Sequence, residues 1–168
     1  MGKVLGNATG NVVFQQASAV HSRDIACLHA LLYQEAWTAD SVGVLLAHPA
    51  SVSFIAYAND PLEPAGFLLG QRAVDQGEIL SLGVRHDVQR CGIGRRLVTA
   101  FMDASRNMGV RDIFLEVASG NIAARRLYEN LGFVQAGRRP RYYRQPGGGA
   151  EDALTLTVVL PPAKAHSR

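Results

Sequence analysis

Lysine, cysteine and long hydrophobic runs are scarce in this 168-residue chain. No apolar run approaches the ~20 residues that a membrane-spanning helix requires, so we expect no membrane span. The two cysteines, Cys27 and Cys91, are too few for a disulfide framework and lack metal-ligand spacing, so we expect no metal site. The N-terminal residues do not resemble a secretory signal, and the expected setting is the reducing cytoplasm.

Positive charge comes almost entirely from arginine, because lysine occurs only at Lys3 and Lys164. Lysine and arginine together number 17 against 14 aspartates and glutamates, which gives a formal net charge of +3. This mild excess suits an anionic ligand without demanding a nucleic acid. Arginine forms bidentate bonds with phosphates and carboxylates, so the composition is compatible with ligands of that kind.

The order of apolar patterns predicts an α+β fold. Helical spacing occurs over residues 22–37, 38–47, 94–109 and 121–132, and short apolar runs typical of strands occur over 51–58, 65–74, 78–84, 112–117, 133–139 and 152–160. We predict a mixed, mostly antiparallel twisted sheet flanked by helices, with a loop over 139–151. A single domain is expected over 13–160, with flexible segments at 1–12 and 161–168.

A glycine-containing turn precedes the long central helix. Gly92 and Gly94 allow close approach of a ligand to the backbone, and the first turn of the helix presents unpaired N–H groups and partial positive charge. Arg90, Arg95 and Arg96 add full charges. The pattern favours a pyrophosphate site, although a turn with solvated arginines has the same local composition. The Gly-Lys-Ser/Thr ending of a Walker loop and the third glycine of a dinucleotide fingerprint are both missing.

Two motifs give the chain its resemblance to the GNAT acetyltransferase superfamily. The acetyl-CoA signature Gln/Arg-x-x-Gly-x-Gly/Ala matches residues 89–94. The downstream pattern Asn-x-x-Ala-x-x-Leu-Tyr-x-x-x-Gly-Phe matches residues 121–133. Within the superfamily, the chain resembles the bacterial enzymes that acetylate ribosomal proteins. Four features carry this resemblance: Leu-Glu-Val at 115–117, Trp37, Arg-Tyr-Tyr at 141–143 and Glu-Asp-Ala at 151–153.

The resemblance implies a GNAT fold that binds acetyl-CoA. The pyrophosphate would bind backbone N–H groups of the turn, the pantetheine arm would pair with the third strand at 82–84, and Asn121 would bind near the thiol. Gly83 would form a bulge that separates neighbouring strands, and Cys91 departs from the polar residue common in relatives. The implied cofactor residues are Leu82, Gly83, Val84, Gln89, Arg90, Cys91, Gly92, Ile93, Gly94, Arg95 and Asn121.

Glu116 and Tyr128 are the predicted catalytic pair. Glu116 lies within an apolar strand, where a carboxylate needs a cleft or has a raised pKa, and either condition suits a general base. The alternatives are a solvent-facing Glu116 and a different base, Glu78. Tyr128 would protonate the CoA thiolate by resemblance, whereas its ordinary role would be packing. A backbone N–H near Leu82 or Gly83 would stabilise the oxyanion.

By resemblance, Trp37, Arg141, Tyr142 and Tyr143 would line the acceptor groove. A free α-amine has a pKa near ~7.8 against ~10.4 for lysine, so a single glutamate suits an N-terminal acceptor better. We therefore expect a protein N-terminus as acceptor, possibly that of a ribosomal protein, and a monomer or weak dimer. Two alternatives remain open: a GNAT enzyme for a small amine or lysine side chain, and an RNA-binding module built on the arginines around Tyr142 and Tyr143. If the acceptor is a protein N-terminus, any contact with nucleic acid would be incidental.

Overall fold

The computed structural model describes residues 12–58, 63–144 and 148–162. Seven strands and four α-helices occur within these ranges. They are β1 (Val13–Gln16), α1 (Ser22–Leu32), α2 (Ala39–Ala47), β2 (Phe54–Ala58), β3 (Glu63–Ala73), β4 (Gln76–Val84), α3 (Ile93–Asn107), β5 (Asp112–Ala118), α4 (Ile122–Glu129), β6 (Val134–Arg144) and β7 (Ala150–Val159). Apart from residues 12, 161 and 162, the predicted flexible termini lie outside the described residues.

The strands form one sheet in the order β1-β2-β3-β4-β5-β7-β6. Every neighbouring pair is antiparallel except β4 and β5, which are parallel. The parallel pair arises because α3 connects β4 to β5, and a helical crossover returns the chain in its original direction. The predicted mixed, mostly antiparallel sheet is confirmed.

Helices cover both faces of the sheet at β3, which explains its continuous apolar sequence. Phe67 and Leu69 pack into a cluster with residues of α1 and α2, whereas Leu68 packs into the cluster that contains the core face of α3. Successive side chains of a strand point to opposite faces, so a strand covered on both faces is apolar at every position.

The central helix α3 lies close against the sheet. Its buried residues Leu97, Val98, Phe101 and Ser105 recur at the spacing of one helical face. A Cβ added at Gly70 of β3 would lie 2.5 Å from Phe101 Cε2, so the helix approaches a position without a side chain. Among the helices of the described ranges, none has the length and apolar character needed to cross a bilayer.

Two features of the strands differ from the sequence expectations. The short strand β1 was not predicted, and it pairs with β2 at one edge of the sheet. The predicted loop over 139–151 is wrong in its first half, because β6 continues to Arg144. Pro140 is tolerated there since β6 is the other edge strand and its register shifts between Arg139 and Tyr143. Gly147, part of the glycine run in that loop, lies outside the described residues.

Candidate active site

Strands β4 and β5 separate halfway along their length. Their pairing extends from Gln76–Asp112 to Ile79–Leu115, after which β4 remains paired only with β3, and β5 only with β7. Leu80 is an extra residue in β4, because the β3 partners shift between Ser81 and Ile79. A bulge of this kind bends a strand and increases its twist. We call the opening between the diverging strands the fork.

The prediction of a bulge at Gly83 is wrong, since Gly83 pairs regularly with Phe67. Its lack of a side chain has a different cause. An added Cβ would lie 2.6 Å from Phe67 Cε1 and 2.7 Å from Leu32 Cδ1. Glycine is therefore required for α1 and β3 to pack against this part of β4.

The edge of β4 that faces the fork carries backbone groups of Leu82 and Val84. Arg85 N donates to Ala65 O at 2.8 Å on the β3 side, and because polar groups alternate along a strand, Gly83 also faces β3. Two contacts agree with this assignment: the Tyr33 hydroxyl donates to Leu82 O at 2.5 Å, and Gln89 Nε2 donates to Val84 O at 2.9 Å. Of the two residues predicted to supply an oxyanion donor, only Leu82 therefore has a suitable direction.

The glycine turn leads from β4 into α3 with two residues in the left-handed region. Gly92, the N-cap of α3, has φ +82°, and Arg90 has φ +61°. Arg96 N donates to Gly92 O at 3.0 Å as the first bond of the helix, so the N–H groups of Ile93, Gly94 and Arg95 have no intrahelical acceptor. These amides form an anion site at the helix N-terminus.

Gly94 lies where this turn meets the end of β4. A Cβ added at Gly94 would touch Leu127 at 3.4 Å and Val84 at 3.6 Å, both ordinary contact distances. The protein itself does not require glycine at this position. The absence of a side chain leaves the backbone of the turn open to close approach by a ligand.

The side chains of the turn are directed to several different places. Three of them are exposed: Arg90, Cys91 and Arg95. Gln89 stabilises the turn, because its Nε2 donates to Val84 O. The Arg96 guanidinium lies 3.9 Å from the ring centroid of Phe14 on β1. Arg96 is thus engaged in a cation–π contact with β1.

A cleft of about 430 Å³ occupies the fork. It brings together six residues that the sequence singled out, from five different parts of the chain: Trp37, Leu82, Glu116, Asn121, Tyr128 and Tyr143. Gly83, Val84 and residues 89–95 do not line it. We call this space the fork cleft.

Glu116 lies on β5 between two buried residues, with 26% of its side chain exposed. Its Oε1 is 3.0 Å from Arg139 Nε on β6, so the carboxylate forms an ion pair across the intervening strand β7. Glu78, the alternative base, lies in the paired part of β4 and accepts a bond from Gln71 Nε2 at 2.9 Å. It does not line the fork cleft.

Tyr128 on α4 is 4% exposed and packs edge-on against Phe133, with ring centroids 5.4 Å apart. Burial raises the pKa of its hydroxyl, and the nearby Tyr33 raises it further. The hydroxyl is consequently protonated throughout the physiological range and available as a donor in the fork cleft.

Asn121 is the N-cap of α4. Its Oδ1 accepts a bond from Ala124 N at 3.1 Å, which satisfies one of the free amides at the start of the helix. Because its oxygen is used in this way, the side-chain amide nitrogen is the group that can donate to a ligand in the fork cleft.

The predicted acceptor wall is only partly formed as expected. Trp37 and Tyr143 line the fork cleft together, and burial raises the pKa of Tyr143, with Glu116 contributing. Tyr142 is half exposed and packs edge-on against Tyr143. Arg141 has φ +55°, and its backbone N–H donates to Asp152 Oδ1 at 2.7 Å. This bond fixes the backbone of β6 at its register shift, and Arg141 does not line the fork cleft.

The arginine cluster considered for RNA binding is partly neutralised. Arg138 pairs with Asp152, and Arg139 pairs with Glu116. Arg138 and the backbone N–H of Arg141 together lower the pKa of the Asp152 carboxyl, the backbone bond having the larger effect. Of the four arginines in this cluster, Arg138, Arg139, Arg141 and Arg144, the side chains of the first two thus form ion pairs within the protein.

Four polar residues that line the fork cleft were not predicted from the sequence: His29, Tyr33, Glu35 and Ser81. His29 lies in the last turn of α1 and Tyr33, four positions later, is its C-cap, a spacing at which side chains of a helix are neighbours. That spacing could have identified them as neighbours. Their approach to β4, however, is a long-range contact without a local signal.

The comparisons with known proteins agree with this architecture. Residues 22–133 match the model of the Acetyltransferase (GNAT) family. The ribosomal protein bS18-alanine N-acetyltransferase of Escherichia coli K12 is 37% identical over 96 residues, which cover 57% of this chain and 64% of that enzyme. The N-alpha-acetyltransferase RimI of Mycobacterium tuberculosis is 42% identical over 88 residues, 52% of each chain.

In three dimensions, the crystal structure of the E. coli ribosomal-protein-S18-alanine N-acetyltransferase matches with a TM-score of 0.83 and 25% identity, covering 94% of this chain and 99% of the other. The sequence matches to the curated E. coli and M. tuberculosis relatives span less than two thirds of their lengths. The family model matches residues 22–133, which is more than half of this chain. The protein belongs to the GNAT acetyltransferase family.

Proposed function

We propose that this protein transfers an acetyl group from acetyl-CoA to the α-amine of a protein N-terminus, with Glu116 as general base and Tyr128 as general acid. The observation that carries the proposal is the fork cleft. It joins a carboxylate, a buried tyrosine hydroxyl and a free strand edge, and that edge continues to the open amides of α3.

The residues around the fork fit acetyl-CoA. The amides of Ile93, Gly94 and Arg95 would hold its pyrophosphate, and the Leu82 and Val84 edge would pair with its pantetheine arm. The side-chain amide of Asn121 would donate near the thiol. When bound, acetyl-CoA supplies an activated acetyl thioester. The contacts at Gly94 support this fit, because the backbone there is left open to a ligand.

Glu116 would take the proton from the attacking amine, directly or through water. Arg139 engages Oε1 of the carboxylate, and Oε2 would remain to accept the proton. Tyr128 would donate its proton to the departing sulfur, and burial keeps that proton on the hydroxyl until it is needed. The Leu82 N–H, on the free edge of β4, would stabilise the negative charge that develops on the acetyl oxygen.

An N-terminal acceptor is favoured by chemistry and by the relatives. An α-amine is ~2.6 pKa units more acidic than a lysine side chain, so one glutamate can deprotonate it near neutral pH. The E. coli relative is named a ribosomal protein bS18-alanine N-acetyltransferase, and the M. tuberculosis relative an N-alpha-acetyltransferase. We therefore propose a ribosomal protein as the natural acceptor and the cytoplasm as the site of action.

A substrate panel tests the proposal. The purified protein is incubated with acetyl-CoA and a peptide that begins with the N-terminal residues of ribosomal protein S18. The same peptide with a blocked N-terminus and an internal lysine, and a polyamine, serve as comparisons. Mass spectrometry should find one acetyl group on the free α-amine. Acetylation of the polyamine or lysine without the α-amine would contradict the proposed acceptor.

A further inference from the structure

His29 is a buried titratable residue to which the proposed chemistry assigns no role. It is 4% exposed and lies in the wall of the fork cleft. Its ring centroid is 4.4 Å from that of Tyr33 and 5.6 Å from those of Trp37 and Phe67. The imidazole therefore lies between the predicted acceptor wall and strand β4.

Both ring nitrogens of His29 contact polar groups. Trp37 N lies 3.4 Å from Nδ1, and Ser81 Oγ lies 3.4 Å from Nε2. A backbone N–H can only donate, so Nδ1 must carry the lone pair, and the neutral ring has its proton on Nε2. His29 then donates to Ser81.

A second bond reaches the same segment of β4. The Tyr33 hydroxyl, whose ring centroid lies 4.4 Å from that of His29, donates to Leu82 O at 2.5 Å. Ser81, which accepts from His29, directly precedes Leu82 in β4. His29 thus links the main chain at Trp37 to the strand segment proposed to bind the pantetheine arm.

We propose that neutral His29 is a positioning residue that holds the Trp37 wall against the Leu82 edge, so that the acceptor groove is complete only while the imidazole is uncharged. Protonation at Nδ1 would place two donors face to face and detach Trp37. The inference rests on the proposed function and extends it to the recognition of the acceptor.

The direction of the pH effect follows from the surroundings of the ring. Burial lowers the pKa of His29 below its ordinary value of 6.5. The charged residues in the lining of the same cleft are Glu35 and Glu116, and the titratable hydroxyls are those of Tyr33, Tyr128 and Tyr143. Since the folded protein binds this proton less readily than the unfolded chain, the stabilisation is complete above pH 6.5 and is lost as the pH falls.

Trp37 is the only tryptophan in the chain, so tryptophan fluorescence reports directly on this contact. Detachment of Trp37 from the neighbouring imidazole would change the surroundings of the indole and therefore its emission. We expect a fluorescence titration with a midpoint below pH 6.5 in the unmodified protein. His29→Gln should abolish it, because glutamine can still accept from Trp37 N–H and donate to Ser81 but does not titrate.

His48→Gln is the matched control, since His48 lines a neighbouring groove that also contacts Trp37. It should leave the titration unchanged. A flat titration in the unmodified protein, a midpoint at or above 6.5, or the same titration in His29→Gln would overturn the inference. This measurement needs neither acetyl-CoA nor an acceptor, so its result does not depend on the proposed reaction.

Kinetics supply the second readout. At each pH, the acceptor KM of the unmodified protein is divided by that of His29→Gln. The ionisation of the amine affects both KM values equally and cancels in this ratio. One pH unit below the fluorescence midpoint, we expect this ratio to reach about tenfold, with kcat and the Kd of CoA changed little. A ratio that stays constant with pH, while acetyl transfer proceeds normally, would refute the positioning role and leave the proposed function intact.

Discussion

Arg139 on the edge strand β6 forms an ion pair with Glu116 on β5, with Nε 3.0 Å from Oε1. Strand β7 lies between them and pairs Ala153 with both Arg139 and Ala118. Directly paired residues share a face of the sheet, so the arginine side chain crosses above a small residue. The contact constrains the carboxylate proposed as the general base.

Replacing Arg139 by alanine should reduce kcat without altering the Kd of CoA. The arginine side chain is 61% exposed, and such a pair contributes up to about 1 kcal/mol, or about fivefold in rate. Steady-state kinetics and calorimetry test this, with Arg144→Ala, on the same strand, as the control. An unchanged kcat would mean that Arg139 does not orient the carboxylate.

Replacing Glu116 by glutamine should lower kcat/KM by about 100-fold or more, the usual effect of removing a general base. The loss should be largest below the pKa of the acceptor amine and smaller above it, where the amine is already neutral. Rates from pH 6 to 9 test this expectation. Glu78→Gln is the control, because Glu78 lies outside the fork cleft; if only that variant lost activity, the base would be Glu78.

Replacing Tyr128 by phenylalanine should slow turnover by about 100-fold while preserving the fold, because the ring still packs against Phe133. The raised pKa of Tyr128 has a separate consequence. Above pH 10 the unfolded chain releases this proton and the folded protein retains it, so stability falls as the pH rises.

The Tyr128 variant should therefore lose less stability than the unmodified protein above pH 10. Urea unfolding at pH 9 and pH 10.5 measures the difference. Tyr142→Phe, at a half-exposed tyrosine, should affect neither turnover nor this pH dependence. Full activity of Tyr128→Phe would remove the hydroxyl from the mechanism.

Replacing Gly94 by alanine should weaken CoA binding about tenfold or more and change the melting temperature little. Within the protein the new methyl group makes only ordinary contacts with Leu127 and Val84. Calorimetry gives the affinity and thermal unfolding the stability. Gly43→Ala on α2 should leave the affinity unchanged and raise the melting temperature slightly, since its Cβ would make only ordinary contacts with Ser22 at 3.7 Å and alanine favours a helix over glycine. Equal affinities in both variants would argue against the turn as the pyrophosphate site.

The local sequence was sufficient to predict the sheet class, the helix order and the glycine turn. Alternating and helical apolar periods report burial directly, and Gly92 adopts the positive φ that its residue type permits. The Leu-Glu-Val segment at 115–117 and the GNAT motif at 121–133 also pointed to Glu116 and Tyr128, and both residues line the fork cleft. These features depend on contacts within short segments or on motifs carried by them.

The tertiary structure decided the rest. The bulge lies at Leu80 and not at Gly83, because the packing of Phe67 and Leu32 against β4 determines where glycine is needed. The Arg139–Glu116 pair depends on the position of β7 between β5 and β6. His29 reaches Ser81 only when α1 lies on β4, 52 residues further along the chain. Such contacts follow from how the elements assemble, and the local residue pattern carries no record of them.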